Sequence, residues 1–179
     1  MRSLTKGLAG LAVVVVAATG MATAASAKSA DFTVKPIAGR TTTGGEDGRW
    51  VGGGTDAKAY RNADGNSYTL TKNATLQTWA YAALEIGVEG RTLDGLGTLT
   101  YTVDGDLTNG SPRVNLSYTD ANTAGEDFQF LGGLAAAEGK VVSVDLAGIT
   151  TDPGAKVLAL EIIRDEPGTS VISNIDFSA

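Results

Sequence analysis

The chain has no cysteine and no histidine. Those two absences remove most of the common catalytic toolkit. Nucleophile systems built on a Ser-His-Asp or Cys-His arrangement cannot be assembled. The nitrogen and sulfur ligands that zinc and copper favour are missing too. What remains is oxygen chemistry: carboxylates, tyrosine, lysine, or a hard cation such as calcium. Only two of the 179 residues are tryptophan and only four are proline, so each of these residues carries positional meaning. No apolar run reaches the ~20 residues that a membrane-spanning helix needs.

The longest such run, Leu8 to Ala18, follows Arg2 and Lys6 and leads to small residues ending Ala25-Ser26-Ala27. That order is the positive, apolar, small-residue pattern of a secretory signal peptide, with cleavage expected after Ala27 and an alternative after Ala24. No cysteine follows the cut for lipid attachment, no paired-arginine signal precedes it and no apolar C-terminal tail is seen, so a released, extracellular protein is expected. Taking 27 from 179 leaves 152 residues, one domain able to fold without disulfides. The leader removes two of the 14 basic residues and none of the 20 acidic ones, which leaves 12 against 20, or −8. An acidic surface argues against nucleic acid, anionic polymers and anionic membranes as partners.

Organisation follows from short extended runs punctuated by turn residues. Residues 28–55 read as an arm. Within it, Asp31 to Lys35 is a short strand closed by Pro36, followed by the Gly/Thr-rich TTTGGEDGRWVGGGT loop that Trp50 and Val51 would pin. Residues 56–179 read as the folded domain. Thr78 to Ile86 alternates Trp79, Tyr81, Ala83 and Glu85 with Ala80, Ala82, Leu84 and Ile86, and is expected as strand despite its alanines. Gly97 to Asp120 carries two alternating runs, Leu99/Tyr101/Val103 and Val114/Leu116/Tyr118, around Asn109-Gly110, and reads as a hairpin. Its polar residues Thr100, Thr102, Arg113, Asn115 and Ser117 would then form one wet stripe. A second hairpin is expected from Lys156 to Phe177 around Pro167-Gly168, with Leu158, Leu160 and Ile162 on one face. Leu134 to Glu138 is a single-turn helical candidate. About nine or ten short strands without crossover helices predict an all-β, antiparallel β-sandwich.

The order SYTLTKN, an alanine-rich strand, LGTLTYTV, PRVNLSYTD and the closing VLALEIIRDEPGTSVISNIDFSA resembles small secreted bacterial β-sandwich proteins of the jelly-roll, galactose-binding-like or carbohydrate-binding-module-like kind. Many of those have no assigned function. The resemblance implies a non-catalytic binding module whose partner is a polysaccharide or cell-surface glycan. Such modules commonly hold a structural calcium where the first and last strands meet, which here would draw on residues such as Asp31 and Asp176.

Three constellations could carry chemistry. The acidic turn Asp120, Asn122, Glu126 and Asp127 sets oxygens around Gly125 and is the candidate calcium site, though an ordinary polar turn explains it as well. Asp104-Gly105-Asp106 and Glu46-Asp47 are weaker versions. Among the aromatics Trp50, Trp79, Tyr81, Tyr101 and Tyr118, an exposed ring could stack on a sugar, and Trp50 and Trp79 are the candidates, with Arg113 and Asn115 beside them. Core filling is the competing role. The third is a carboxylate pair for glycoside hydrolysis drawn from Glu85, Glu89 and Glu161. Glu161, set among Leu and Ile, should have a raised pKa or a cationic partner in Arg113 or Arg164. Two further functions therefore stand beside the binding module: an extracellular structural or protein-interaction domain, and a small carboxylate-dependent glycoside hydrolase.

Overall fold

The computed structural model of the chain describes residues 31–40, 51–52, 57–73, 80–108, 110–122, 125–131 and 141–178, with 40, 51–52 and 125–131 as backbone positions. Trp50, Trp79 and the helical candidate at 134–138 lie outside them. Eleven strands and one helical turn are described: β1 (Val34–Arg40), β2 (Val51–Gly52), β3 (Ala57–Arg61), β4 (Ser67–Lys72), β5 (Ala80–Ile86), α1 (Leu93–Leu96), β6 (Thr98–Gly105), β7 (Arg113–Asp120), β8 (Gly125–Leu131), β9 (Val141–Asp145), β10 (Lys156–Arg164) and β11 (Gly168–Ser178). They form two antiparallel sheets, one ordered β2-β1-β5-β10-β7-β8 and the other β3-β4-β11-β6-β9. The protein is an all-β sandwich.

Period-two patterning explains the layers. Leu99, Tyr101 and Val103 on β6 point inward from one sheet. Ala82 and Leu84 on β5, Val114, Leu116 and Tyr118 on β7, and Leu160 and Ile162 on β10 point inward from the other. Each fully buried leucine or isoleucine among them contributes about 1.5–3 kcal/mol of burial. Phe32 meets Phe177 edge-on at the rim of this core, with centroids 5.1 Å apart and planes at 81°.

Both expected hairpins prove to be arches that carry the chain from one sheet to the other. β6 pairs with β11 and β9, whereas β7 pairs with β10 and β8. Likewise β10 belongs to the six-stranded sheet and β11 to the five-stranded one. The chain does turn where the Asn-Gly pair predicts it. Thr108 and Ser111 exchange backbone hydrogen bonds of 3.1 and 2.8 Å, and Gly110 takes φ 87°. This turn closes a small loop inside the arch and leaves the two strands unpaired with each other. Alternation fixes which face is apolar but not which strand lies alongside. The expected polar stripe is split as a result. Thr100 and Thr102 lie on the outer side of one sheet, and Arg113, Asn115 and Ser117 on the outer side of the other.

One side chain ties the arches together. Arg164, fully buried, donates from Nη1 to the Asp106 carbonyl at 2.9 Å and to Ser170 Oγ at 2.8 Å, and from Nη2 to the Pro167 carbonyl at 2.8 Å. Burial holds its pKa below the ordinary arginine value. Gly168, at φ 132°, leaves room for it: a Cβ there would sit 2.0 Å from Nη2.

Smaller departures have local causes. Pro36 does not end the first strand. β1 runs through it, because from Val34 to Ala38 only β5 flanks it among the described residues, and the missing N–H is tolerated on such an edge. That part of the 28–55 arm is thus built into the sandwich. Leu93–Leu96 is one helical turn capped by Thr92, whose hydroxyl accepts from the Gly95 N–H, and ended by Gly97 at φ 65°. In β10 a register shift between Val157 and Ala159 moves Val157 onto the inner face beside Leu160 and Ile162 and turns Leu158 away from them.

Candidate functional site

The outward residues of the six-stranded sheet converge on a row that only the register reveals. Lys35 stands opposite Glu85, Glu85 opposite Glu161, and Glu161 opposite Asn115. Two steps along the strands, Ile37, Ala83, Ile163 and Arg113 form the adjoining row. Because Leu84, Ile162 and Val114 between these positions serve the core, all of them face outward. Tyr81, Ala83 and Ile163 form a small separate apolar cluster on this side, with Ile37 packed against it. Tyr81 lies against the backbone of Gly39 on the neighbouring strand, where a Cβ would come within 2.7 Å of its ring.

The polar members of the face are unevenly served. Asn115 is only 3% exposed, and among the described residues neither its amide nitrogen nor its amide oxygen has a hydrogen-bond partner. Leaving such a group unpaired costs about 1–3 kcal/mol, so its persistence calls for a reason. Glu161 is mostly buried, and burial, followed by the negative charge of Glu85, raises its pKa above the usual 4.5. The same surroundings raise Tyr81: burial first, then Glu161 and Glu85. Glu85 is half exposed and faces Lys35 Nζ at 3.8 Å, a solvated ion pair that contributes little to stability.

Neither arginine expected to neutralise Glu161 does so. Arg113 makes an ion pair with Asp165, whose carboxylate also accepts from Ser111 Oγ at 3.2 Å. Arg164 points into the core. The reason is register: Arg113 stands opposite Ile163, two residues along from Glu161, and Arg164 has the inward phase of β10.

The candidate calcium turn is placed differently. Asp120 ends β7, with Oδ1 accepting from the Asn122 N–H at 2.7 Å and Oδ2 accepting from the Thr150 hydroxyl. These donors, Thr150 first, hold its carboxyl below the usual carboxylate range. The Asp152 carboxylate takes the Ala121 N–H at 2.7 Å. Asn122 is exposed, while Glu126 and Asp127 are ladder positions of β8 opposite Thr119 and Tyr118. The turn is thus tied to the neighbouring 150–152 loop by these hydrogen bonds. Among the described residues no group of three or more carboxylates gathers as a metal would require. Asp104 and Asp106 are similarly occupied, with the backbone N–H groups of Gly105 and Thr169.

Arg113 and Asn115 are thus placed on one outer face, with Glu85, Glu161 and Tyr81 alongside. Lys35 is the member that sequence reasoning passed over. A lysine before a proline in an arm carries no signal until β1 is seen to pair with β5.

No protein-family model matches the chain, and no curated protein matches it. Among solved structures it is similar to an exo-1,3/1,4-beta-glucanase from a Pseudoalteromonas species, at 13% identity, with a TM-score of 0.37. That likeness covers 81% of this chain and 19% of the glucanase, so the chain spans less than a fifth of that protein's length.

Proposed function

We propose that this chain is a secreted carbohydrate-binding β-sandwich whose ligand lies on the outer face of the six-stranded sheet. The observation that carries the reading is the Lys35–Glu85–Glu161 row, in which exposed Lys35 and half-exposed Glu85 offer a donor and an acceptor to ligand hydroxyls at the surface. Asn115, Tyr81, Ala83 and Ile163 lie buried alongside it. Two carboxylates on the surface select neutral glycans over acidic ones. The basic, apolar, small-residue order of residues 1–27 supports export.

A protein-interaction surface finds less support. The described residues include only two exposed large apolar side chains, Tyr60 on β3 and Val141 on β9. Those strands are opposite edges of the five-stranded sheet, so the two residues form no patch.

The test is affinity electrophoresis and calorimetry against neutral polysaccharides (xylan, mannan, cellulose and β-glucan), with Glu85→Ala as the control. Binding by the wild type that weakens at least ~10-fold in the variant, a loss of about 1.4 kcal/mol, is expected. Absence of binding to every glycan, or equal binding by the variant, would overturn the reading.

A further inference from the structure

We propose that Asp104 is a site of spontaneous backbone modification, at which its link to Gly105 isomerises to isoaspartate through a cyclic imide. The inference stands apart from the glycan reading.

An aspartate followed by glycine is open to this reaction because glycine has no side chain to hinder its nitrogen as it approaches the preceding carboxyl carbon. Asp-Gly occurs at 47–48, 64–65, 94–95 and 104–105, and the last three pairs lie among the described residues.

The fold treats these three differently. Asp64 Oδ1 accepts from the Asn66 and Ser67 N–H groups at 2.9 and 3.0 Å, and Oδ2 accepts from the Ser67 hydroxyl at 2.7 Å. The Gly65 N–H meanwhile donates to the Asn62 carbonyl at 3.0 Å. In α1 the Gly95 N–H is taken by the Thr92 hydroxyl at 3.2 Å. At 104–105 the carboxylate and the amide meet each other. The Gly105 N–H donates to Asp104 Oδ1 at 3.1 Å, and both residues are exposed. Oδ1 is bonded to Cγ, the carbon that the nitrogen attacks, so this contact lies close to a reactive pose.

Register explains why the pair is left to itself. The Asp106 N–H donates to the Thr169 carbonyl at 3.0 Å, so Asp106 faces β11. Alternation along the strand turns the Gly105 N–H to the opposite side, toward β9. The described ladder with β9 ends at Thr102. Gly105 thus lies past the last described rung, and the preceding carboxylate takes up its N–H.

The reaction balances without a partner. The Gly105 nitrogen bonds to Asp104 Cγ and loses its proton, the protonated carboxyl loses its hydroxyl, and one water leaves. A five-membered imide remains. Water then adds to one of its two carbonyls. Opening at Cγ restores aspartate, and opening at the Asp104 main-chain carbonyl leaves isoaspartate. The sum is an isomerisation that lengthens the main chain by one carbon. That carbon enters two residues before Asp106, whose carbonyl accepts from Arg164 and whose carboxylate accepts from the Thr169 N–H. Modification therefore loosens the clamp at the arch end.

The test incubates the full chain in water enriched in the heavy oxygen isotope, at mildly acid pH where part of the carboxyl population is protonated. One sample is folded and one is in urea. Each passage through the imide leaves one heavy oxygen, and electron-transfer fragmentation assigns label and isoaspartate to single residues. In folded protein Asp104 should take up label roughly tenfold or more faster than Asp64 and Asp94. In urea the three should react alike. Asp104→Glu, which would have to close a six-membered ring, should show no label at that position. The chromatographically separated isoaspartyl fraction should unfold at lower urea than the unmodified protein. Equal labelling of the three sites in folded protein would overturn the inference. So would a preference for Asp104 that persists in urea, or label at that position in the variant. An isoaspartyl fraction as stable as the unmodified protein would overturn the link to the clamp.

Discussion

The arch end of the sandwich and the outer face of its six-stranded sheet both bury ionisable or amide side chains, and they treat them in opposite ways. At the arch end the two terminal nitrogens of Arg164 meet acceptors from two loops, the Asp106 and Pro167 carbonyls and the Ser170 hydroxyl, and only its Nε lacks one. Ser111 nearby accepts the Asp165 N–H at 3.1 Å. On the outer face Asn115 has nothing for either amide atom, and Glu161 sits beside a second carboxylate. A buried polar group whose partners are internal serves the fold, and one left short of partners at comparable burial weakens it.

That contrast can be broken or sharpened by substitution. Arg164→Ala should have the largest effect, a loss of about 3–5 kcal/mol by urea denaturation, because several buried acceptors lose their donor at once. Gly168→Ala should cost about 1–3 kcal/mol in the same assay, since φ 132° is unfavourable for alanine and the new Cβ would press on the pinned guanidinium. On the other face the sign should reverse. Asn115→Leu is expected to leave stability unchanged or raise it by about 1 kcal/mol, since it removes two unsatisfied atoms. If that variant unfolds as readily as Arg164→Ala, the contrast fails.

The smallest effect is a pH dependence. Glu161 has a folded-state pKa above its ordinary 4.5. Below that value the carboxyl is protonated in both folded and unfolded protein and carries no penalty. As pH rises through the folded-state pKa, the buried charge costs stability. Glu161→Gln should therefore gain on the wild type in thermal melts as pH rises above the ordinary 4.5. A difference that is flat over that range would place Glu161 in a more hydrated setting.

Much of the architecture was legible in the residues and some could not be. The inward phase of Leu99, Tyr101, Val103, Val114, Leu116 and Tyr118 follows from alternation alone. So does the strand character of Ala80–Ile86, where alanines gave way to a period of two. Which strands pair is a long-range matter, and a turn signal such as Asn109-Gly110 is local chemistry that says nothing of it. The bulge at Val157–Ala159 likewise depends on the partner strand β7. Asn115 was identifiable as a polar residue on a wet face. Its alignment with Glu161 and Glu85 was not, because three strands far apart in the chain create the row.

The position of β11 sets the kinetics of this protein. It lies in the middle of its sheet, pairing Gly168–Ser173 with β4 on one side and Ser170–Ser178 with β6 on the other. The first ladder joins residues about a hundred positions apart and the second about seventy. With both arches sending neighbouring strands to different layers, few of the ladders can zip from a nearby turn. Loop-closure entropy is lost before contact energy is regained, which places such a topology among the millisecond-to-second folders. Until the last strand docks, β4 and β6 present open edges to any other chain within reach.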